Sequence, residues 1–303
     1  MYCSESYPLE TFAYWQDAKN NAWVIGDFVW TAMDYLGEAS IGRTGLSGDA
    51  PGGEEYPWFG AGCGDIDLIG QQRPQSLARD VVWGVSALEI AVQRPIPEGK
   101  KEVPFLWGWR DELLSWTWPG AEGKMLSLSV FSKADRVTVA LNGRVIADQE
   151  MDAAAGAIVQ IPVRYEPGTL VVTAFARNKQ IGRRSLETAG PPAALRLRTD
   201  RNQIRNRRDD LAYVTVEVVD KAGRLVPDAV QVLRATVVGP IELAAFGNAN
   251  PRGLASFNQP VAKTWHGRAV AILRPTGEAG AAMIQIGAEG LPNARARVTV
   301  SGA

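Results

Sequence analysis

The sequence predicts an α/β segment followed by an all-β region: the C-terminal strands and helices of a (β/α)8 barrel, then two Ig-like β-sandwich domains. Strand-like and helix-like pieces alternate before residue 95, and short strand-like pieces recur after it. Nine of the ten tryptophans lie before residue 119, which separates an aromatic-rich part from plainer β-domains. A chain of 303 residues is long enough for two or three domains. We predict domain ranges of 1–95, 104–189 and 192–303.

The first range reads as the closing units of a β/α barrel. Its predicted pieces are a strand end at Tyr2–Ser4, a helix over residues 9–16, a buried strand over 24–30, a loop over 37–64 and a helix over 74–88. Ser76 is a candidate N-cap of the last helix. Strand, helix, strand, loop and helix match the end of such a barrel, and a whole one needs about 250 residues.

The remaining sequence has the signals of β-sandwiches. Residues 95–101 predict a linker, and Pro191-Pro192 marks a second boundary. Asn142-Gly143 predicts a two-residue hairpin turn, because both positions need positive φ. Residues 211–219 alternate cleanly between two faces of a strand. The other predicted strands cover residues 125–131, 136–141, 159–164, 170–176, 230–238, 269–273, 281–286 and 294–300.

Charge excludes some classes of partner. The formal net charge is −1 and the pI is near 6.0, so neither a nucleic acid nor an anionic membrane surface is an expected partner. One compact basic stretch, Arg196–Arg208, also carries aspartates, and we predict that it is a solvated loop between domains. No run approaches the ~20 apolar residues that a membrane span needs.

No cofactor or metal is expected from the sequence. Two cysteines and one histidine are too few and too scattered for a structural zinc site, and no phosphate-binding glycine motif occurs. His266 lies in a turn-like segment, which favours a surface role over a catalytic triad. Residues 1–10 do not resemble a signal peptide. We nevertheless expect the parent protein to be periplasmic or secreted, with its export signal upstream, and the oligomeric state is not predicted.

Three residues are candidates for sugar chemistry, each with a plainer alternative. Glu5 follows a strand end, the face where β/α barrels carry their active sites, but it could be a surface charge. Trp30 could be a platform for the apolar face of a sugar or simply a core residue. Asp67, within the Gly-rich segment 62–70, could bind sugar hydroxyls or close an Asx-type turn.

The three segments, in this order, resemble glycoside hydrolase family 2, the β-galactosidase and β-glucuronidase group. The resemblance is carried by Ser-Glu-Ser-Tyr-Pro at residues 4–8, Val-Ile-Gly-Asp-Phe-Val-Trp-Thr-Ala-Met-Asp-Tyr-Leu-Gly-Glu at 24–38, Asp-Ile-Asp-Leu-Ile-Gly at 65–70 and the strand sequences at 134–143, 212–220 and 246–251. By this resemblance Glu5 matches the catalytic nucleophile and Trp30 the tryptophan beneath the galactosyl unit. Asp67 falls near a position that contacts sugar hydroxyls.

The resemblance implies a retaining exo-glycosidase that hydrolyses terminal β-galactosides. Such enzymes use two carboxyls about 5–5.5 Å apart, one as nucleophile and one as acid and base. The family's acid/base glutamate lies in an Asn-Glu pair on the fourth barrel strand, upstream of this sequence. We therefore expect residues 1–303 to be inactive alone and poorly soluble, because barrel edges would be exposed. A carbohydrate-binding accessory module and a non-functional truncation product are the alternatives.

Overall fold

The computed structural model describes residues 2–48, 56–152 and 156–302. It contains two compact units, Met1–Thr188 and Ala189–Ala303. Most of the described residues lie in strands or the turns between them, and the two α-helices both belong to the first unit. Neither helix in the described part of the chain is long and apolar enough to cross a membrane.

The first unit begins with a parallel strand pair joined by a helix. Strand β1 (Cys3–Ser6) pairs with β2 (Asp27–Val29) in parallel. A 3-10 helix at Pro8–Glu10 leads into α1 (Thr11–Asn20), where the Thr11 hydroxyl donates to the Pro8 carbonyl oxygen at 2.8 Å. A helical crossover is the ordinary connection between parallel neighbours.

The long loop after β2 is organised by short strand pairs. Strand β3 (Tyr35–Leu36) pairs with β5 (Gly60–Ala61), and β4 (Thr44–Leu46) pairs with β7 (Glu102–Pro104), both antiparallel. The loop predicted over residues 37–64 is therefore held by both strand pairs, although residues 49–55 lie outside the described ranges. Strand β7, which follows the predicted linker, thus connects the next part of the chain to this loop.

Helix α2 (Pro74–Trp83) is shorter than predicted, and the prediction of Ser76 as its N-cap was wrong. Arg73 is the N-cap and Pro74 occupies the first helical turn, where its fixed φ and missing N–H are tolerated. The helix ends at Gly84, which adopts a left-handed φ of 82°. Residues 88–93 form a strand of the following sandwich.

Two four-stranded sheets form the sandwich of the first unit. Their orders are β11-β10-β13-β14 and β12-β9-β6-β8. The strands are β6 (Leu88–Gln93), β8 (Glu112–Leu113), β9 (Met125–Ser132), β10 (Arg136–Leu141), β11 (Arg144–Glu150), β12 (Ile158–Arg164), β13 (Thr169–Ala176) and β14 (Lys179–Glu187). The predicted hairpin is confirmed, since Asn142 and Gly143 have φ of 52° and 80° between β10 and β11.

Helix α2 packs on this sandwich through a small apolar cluster. Its members are buried side chains from α2, from the sheet and from the segments before β8 and β12: Leu77, Ala78, Val81, Val82, Ala91, Trp109, Phe131 and Ala157. Trp109 also satisfies its indole N–H, which donates to a carboxylate oxygen of Glu112 at 3.0 Å. Burial raises the pKa of Glu112.

The second unit is a sandwich of a four-stranded and a five-stranded sheet. The orders are β15-β17-β21-β19 and β16-β23-β22-β18-β20. The strands are β15 (Ala194–Thr199), β16 (Gln203–Arg205), β17 (Ala212–Val219), β18 (Val232–Val238), β19 (Ile241–Gly247), β20 (Val261–Lys263), β21 (Arg268–Pro275), β22 (Gly280–Ala288) and β23 (Leu291–Ser301). The alternation predicted along β17 is confirmed, because Val214, Val216 and Val218 are fully buried.

The arginine-rich stretch is not a loop between domains, as the sequence had indicated. It lies within the second unit and contributes β15 and β16. Arginines alternate with leucines along β15, so the guanidinium groups face outward and find acids, as when Arg196 pairs with Glu217 at 2.8 Å and Arg205 with Asp210 at 2.9 Å. Most of the positive charge of this stretch is therefore balanced by neighbouring carboxylates.

A buried carboxylate closes one turn of the second unit. Asp220 accepts hydrogen bonds from the backbone N–H groups of Gly190, Ala222 and Arg224 and from the Arg224 guanidinium, at 2.8–2.9 Å. Burial alone would raise the pKa of Asp220, but these donors stabilise the charged form and lower it to about 2.

Asp220→Asn should destabilise the second unit at neutral pH by about 1–3 kcal/mol, because bonds to a charged acceptor are lost. A carboxyl whose folded pKa is lowered stabilises the fold above its unfolded pKa and loses that stabilisation as pH falls. The difference between the parent chain and the Asp220→Asn variant should therefore shrink as pH falls from about 4 towards 2. Hydrogen exchange of peptides from residues 189–303, followed across this range, measures it. A pH-independent difference would contradict this role.

Candidate active site

The parallel pairing of β1 and β2 brings Glu5 and Trp30 to the same edge. Cys3 is opposite Asp27 and Ser6 is opposite Val29, so both strands run towards Glu5 and Trp30. Glu5 is exposed near the end of β1, and Trp30, which follows β2 directly, is half-buried. The two side chains predicted to act on a sugar are thus at the carboxyl ends of neighbouring parallel strands.

Aromatic side chains that the sequence did not single out lie beside this edge. The ring of Tyr7, two residues after Glu5, is 5.3 Å from the ring of Trp107, edge to face. The ring of Trp30 is 6.4 Å from that of Tyr35, whose hydroxyl donates to the carboxylate of Glu38. Trp107 comes from the segment after β7, so only the fold could associate it with Glu5.

The Gly-rich loop runs against the chain that follows Trp30. Backbone N–H groups of Asp65 and Ile66 donate to the carbonyl oxygens of Thr31 and Ala32, both at 3.0 Å. The Thr31 N–H donates in turn to the Cys63 carbonyl oxygen at 3.2 Å. These ladder-like bonds fix the direction in which the chain leaves Trp30.

Gly64 makes this close approach sterically feasible. A Cβ at residue 64 would lie 2.1 Å from the backbone nitrogen of Asp34 and 2.6 Å from the carbonyl oxygen of Ile66. Both neighbours are backbone atoms that cannot turn aside. Any larger residue must therefore push the two segments apart.

Asp67 closes a turn. One of its carboxylate oxygens accepts the N–H of Ile69 at 3.0 Å and that of Gln71 at 2.9 Å, and its carbonyl oxygen accepts the N–H of Gly70. This is the Asx-type arrangement named as the alternative to a sugar contact. At least one oxygen of Asp67 is thus committed to holding the loop.

Helix α2 holds the loop with two arginine–aspartate pairs. Arg73 donates to both oxygens of Asp34, at 2.9 and 3.1 Å, and to the Gly62 carbonyl oxygen at 2.6 Å. Arg79 forms a two-pronged pair with Asp65, at 2.8 and 3.1 Å. Both aspartates lie in the segments that carry the family resemblance, but their arginine partners are 39 and 14 residues further along the chain, and no local pattern connects them.

Arg79 also links the loop to the start of α1. Its guanidinium, which is almost fully buried, donates to the Thr11 hydroxyl at 2.9 Å, and Thr11 donates to the Pro8 carbonyl oxygen. Burial raises the pKa of Asp34 and of Asp65, and the adjacent arginines lower it in part. The segments after Glu5 and after Trp30 are therefore braced by the same helix.

The described residues offer no cluster of three or more His, Cys, Asp or Glu side chains that could hold a metal ion. What the arrangement does offer is a carboxylate, exposed Glu5, at an edge bordered by aromatic rings. Aromatic rings pack against the apolar faces of sugars, and carboxylates act at their anomeric carbons.

Two family models match the two sandwich regions. The model "Glycoside hydrolase family 2 C-terminal domain 5" matches residues 195–297, and a domain of unknown function, DUF4982, matches residues 123–182. A solved structure of a family 2 glycosyl hydrolase from Bacteroides cellulosilyticus is 33% identical, with a TM-score of 0.91 over 99% of this chain. The chain belongs to glycoside hydrolase family 2, over that family's C-terminal region.

Other family 2 members agree with this assignment. A second Bacteroides cellulosilyticus structure is 31% identical, covers 98% of this chain and has a TM-score of 0.84. The β-galactosidase BoGH2A of Bacteroides ovatus is 28% identical over 93% of this chain. This chain spans 29% of the length of BoGH2A, and 39% and 37% of the two solved chains.

Gly64→Ala should lower the stability of the first unit by about 3 kcal/mol or more, because backbone atoms on both sides must move. Gly70→Ala is the matched control: it lies in the same loop with nothing within 4 Å of an added Cβ, although its φ is 81°. That variant should cost only about 1–2 kcal/mol. Thermal unfolding followed by tryptophan fluorescence reports mainly on the first unit. Equal losses in the two variants would rule out the proposed close approach.

Proposed function

We propose that this chain carries the nucleophile side of a retaining glycosidase active site, with Glu5 as nucleophile and Trp30 as the platform beneath the sugar. The observation that supports it best is the common edge of β1 and β2, where both residues lie. The family contributes the reaction class, since its members are glycoside hydrolases.

In this reaction the Glu5 carboxylate attacks the anomeric carbon and displaces the leaving oxygen, which a second carboxyl group protonates. Water, deprotonated by that second group, then cleaves the glycosyl ester, and two inversions give net retention. Trp30 presents a flat apolar face on which the C–H side of the sugar ring can pack. For Asp67 we propose a contact to a sugar hydroxyl made together with its turn.

The described acids near this edge do not supply the second carboxyl group. Asp34 and Asp65 are held by arginines, and Glu38 accepts the Tyr35 hydroxyl. Asp27 begins β2 and is therefore at the opposite end of the strand pair from Glu5. We propose that the acid/base glutamate belongs to a part of the parent enzyme beyond residues 1–303.

We further propose that the predicted ranges 1–95, 104–189 and 192–303 are the last strands and helices of a (β/α)8 barrel and two sandwich domains. The first boundary must move before Leu88, because β6 belongs to the sandwich. The parallel pair β1–β2, the crossover helix α1 and the following helix α2 support the barrel assignment. Exposed apolar side chains support it too, because Phe28 is 60% and Ile25 81% exposed beside this pair. Apolar surface of this kind marks a face that other strands or helices cover.

The proposed substrate is a terminal β-galactoside. It rests on the likeness of the whole chain to an enzyme named β-galactosidase in Bacteroides ovatus. Recognition of one sugar against another depends on hydrogen bonds from several barrel loops, of which this chain contains the last.

Purified residues 1–303 should not hydrolyse 4-nitrophenyl β-galactoside, because the acid/base glutamate is proposed to lie outside this chain. Release of nitrophenol is followed by absorbance at high protein concentration, with heat-unfolded chain as the background. Turnover above that background would show that the chain contains a complete catalytic pair and would overturn the proposed division of the site.

Glu5→Gln should abolish galactosidase activity when residues 1–303 replace the matched region of the Bacteroides ovatus enzyme. Loss of the nucleophile should lower kcat by about 10³-fold or more, with the fold retained. Glu10→Gln is the matched control, because Glu10 is close to Glu5 in sequence but lies on the helical segment after β1, where its carboxylate accepts the Tyr14 hydroxyl at 2.9 Å. Activity within threefold of the parent fusion in Glu5→Gln would exclude Glu5 as nucleophile.

A further inference from the structure

The outward face of the five-stranded sheet in the second unit is strongly basic. Arg234 on β18 is opposite Gly287 on β22, and Lys263 on β20 is opposite Val232, so these side chains share a face. On β23, Arg295 and Arg297 belong to the same face, because they are opposite Gln285 and Met283. All four cations are exposed.

Most of this positive charge is not neutralised. Within the described ranges Arg234, Lys263 and Arg297 form no ion pair with a carboxylate, and Arg295 donates to the amide oxygen of Gln285 at 2.7 Å. By contrast, Arg196 on β15 and Arg205 on β16 each pair with a carboxylate. Since the whole chain has a formal net charge of −1, this face is a local concentration of positive charge.

A groove of about 390 Å³ crosses this face. It is lined by both polar and apolar side chains, from Val232, Arg234, Thr236, Gln285, Ala288, Glu289 and Asn293. Gly287 also lines it, and a Cβ at that residue would meet the Asn293 amide oxygen at 2.5 Å, so the missing side chain leaves room for the depression. The groove therefore combines one guanidinium with amide and hydroxyl groups, and the carboxylate of Glu289 is outnumbered by the four cations of the surrounding face.

We propose that this groove binds an anionic saccharide, a sugar chain that carries carboxylate or sulfate groups. A guanidinium matches such groups with two parallel hydrogen bonds. The amides of Gln285 and Asn293 and the hydroxyl of Thr236 suit the hydroxyls of the same sugar. All of its residues belong to the second unit, and the proposal does not rest on the reaction proposed for Glu5.

The lining favours a sugar over the other polyanions. Single-stranded nucleic acids need aromatic platforms for their bases, and none of the groove's lining residues is aromatic. A membrane surface is bound by larger basic clusters, usually with apolar side chains that insert into it. A groove lined by a glycine and two side-chain amides suits a narrow polyhydroxylated chain.

The test is calorimetric titration of residues 1–303 with hexagalacturonate, a sulfated galactan hexamer, neutral galactan hexamer and a thymidine hexanucleotide. One or both charged sugars should bind, with affinity that falls as salt rises, and the neutral sugar should bind at least about tenfold more weakly. The two charged sugars distinguish a carboxylate from a sulfate as the recognised group. Arg234→Gln and Asn293→Ala should each weaken binding about five- to tenfold.

Arg144→Gln is the matched control, since it removes another exposed arginine, from β11 in the first unit, and should leave binding unchanged. Thermal melts verify that each variant is folded, because substitutions at exposed positions should leave the melting temperature nearly unchanged. Three results would overturn the proposal: no binding of either charged sugar, equal binding by Arg234→Gln, or binding of the neutral sugar or the hexanucleotide as tight as that of the charged sugars.

Discussion

The close approach of the Gly-rich loop to the chain after Trp30 is the constraint on which the proposed site depends. It needs the missing side chain of Gly64, and it is locked by the pairs Arg73–Asp34 and Arg79–Asp65. Burial opposes the charge on both aspartates, so these pairs are not strong stabilisers in themselves. Removal of one partner would leave a buried charge unpaired, which is costly, so other arrangements of the loop that separate the pairs are disfavoured.

Because both arginines belong to α2 or its N-cap, that helix connects the site to the β-structure behind it. Its apolar face packs on the sandwich through Leu77 and Val81. On its polar face, Arg79 forms hydrogen bonds to the loop and to Thr11. The geometry around Glu5 and Trp30 therefore depends on a helix that contributes no predicted catalytic group. In this arrangement the residues proposed to react lie at strand ends, and the side chains that support them come from α2 and its N-cap.

Strands with regular apolar alternation, such as residues 211–219, and the Asn142-Gly143 turn were predictable, because their signals are local. The edge strand Lys179–Glu187 was missed because it is polar along most of its length. The strand Ala194–Thr199 does alternate, but its arginines resemble a charged loop because the acid that pairs with Arg196, Glu217, is distant in the sequence. At the site, the strand-end positions of Glu5 and Trp30 followed from the sequence. The pairing of Arg73 with Asp34, 39 residues apart, did not, nor did the basic face built from β18, β20 and β23.

The assignment of Glu5 as nucleophile is tested most directly by covalent trapping. A 2-deoxy-2-fluoro-β-galactosyl donor with a dinitrophenolate leaving group forms the glycosyl-enzyme without acid assistance and slows its hydrolysis. Incubated with the fusion to the Bacteroides ovatus enzyme and digested, the protein should yield one labelled peptide, with the added mass on Glu5. A label on another carboxylate, or inactivation with an unlabelled Glu5 peptide, would contradict the assignment.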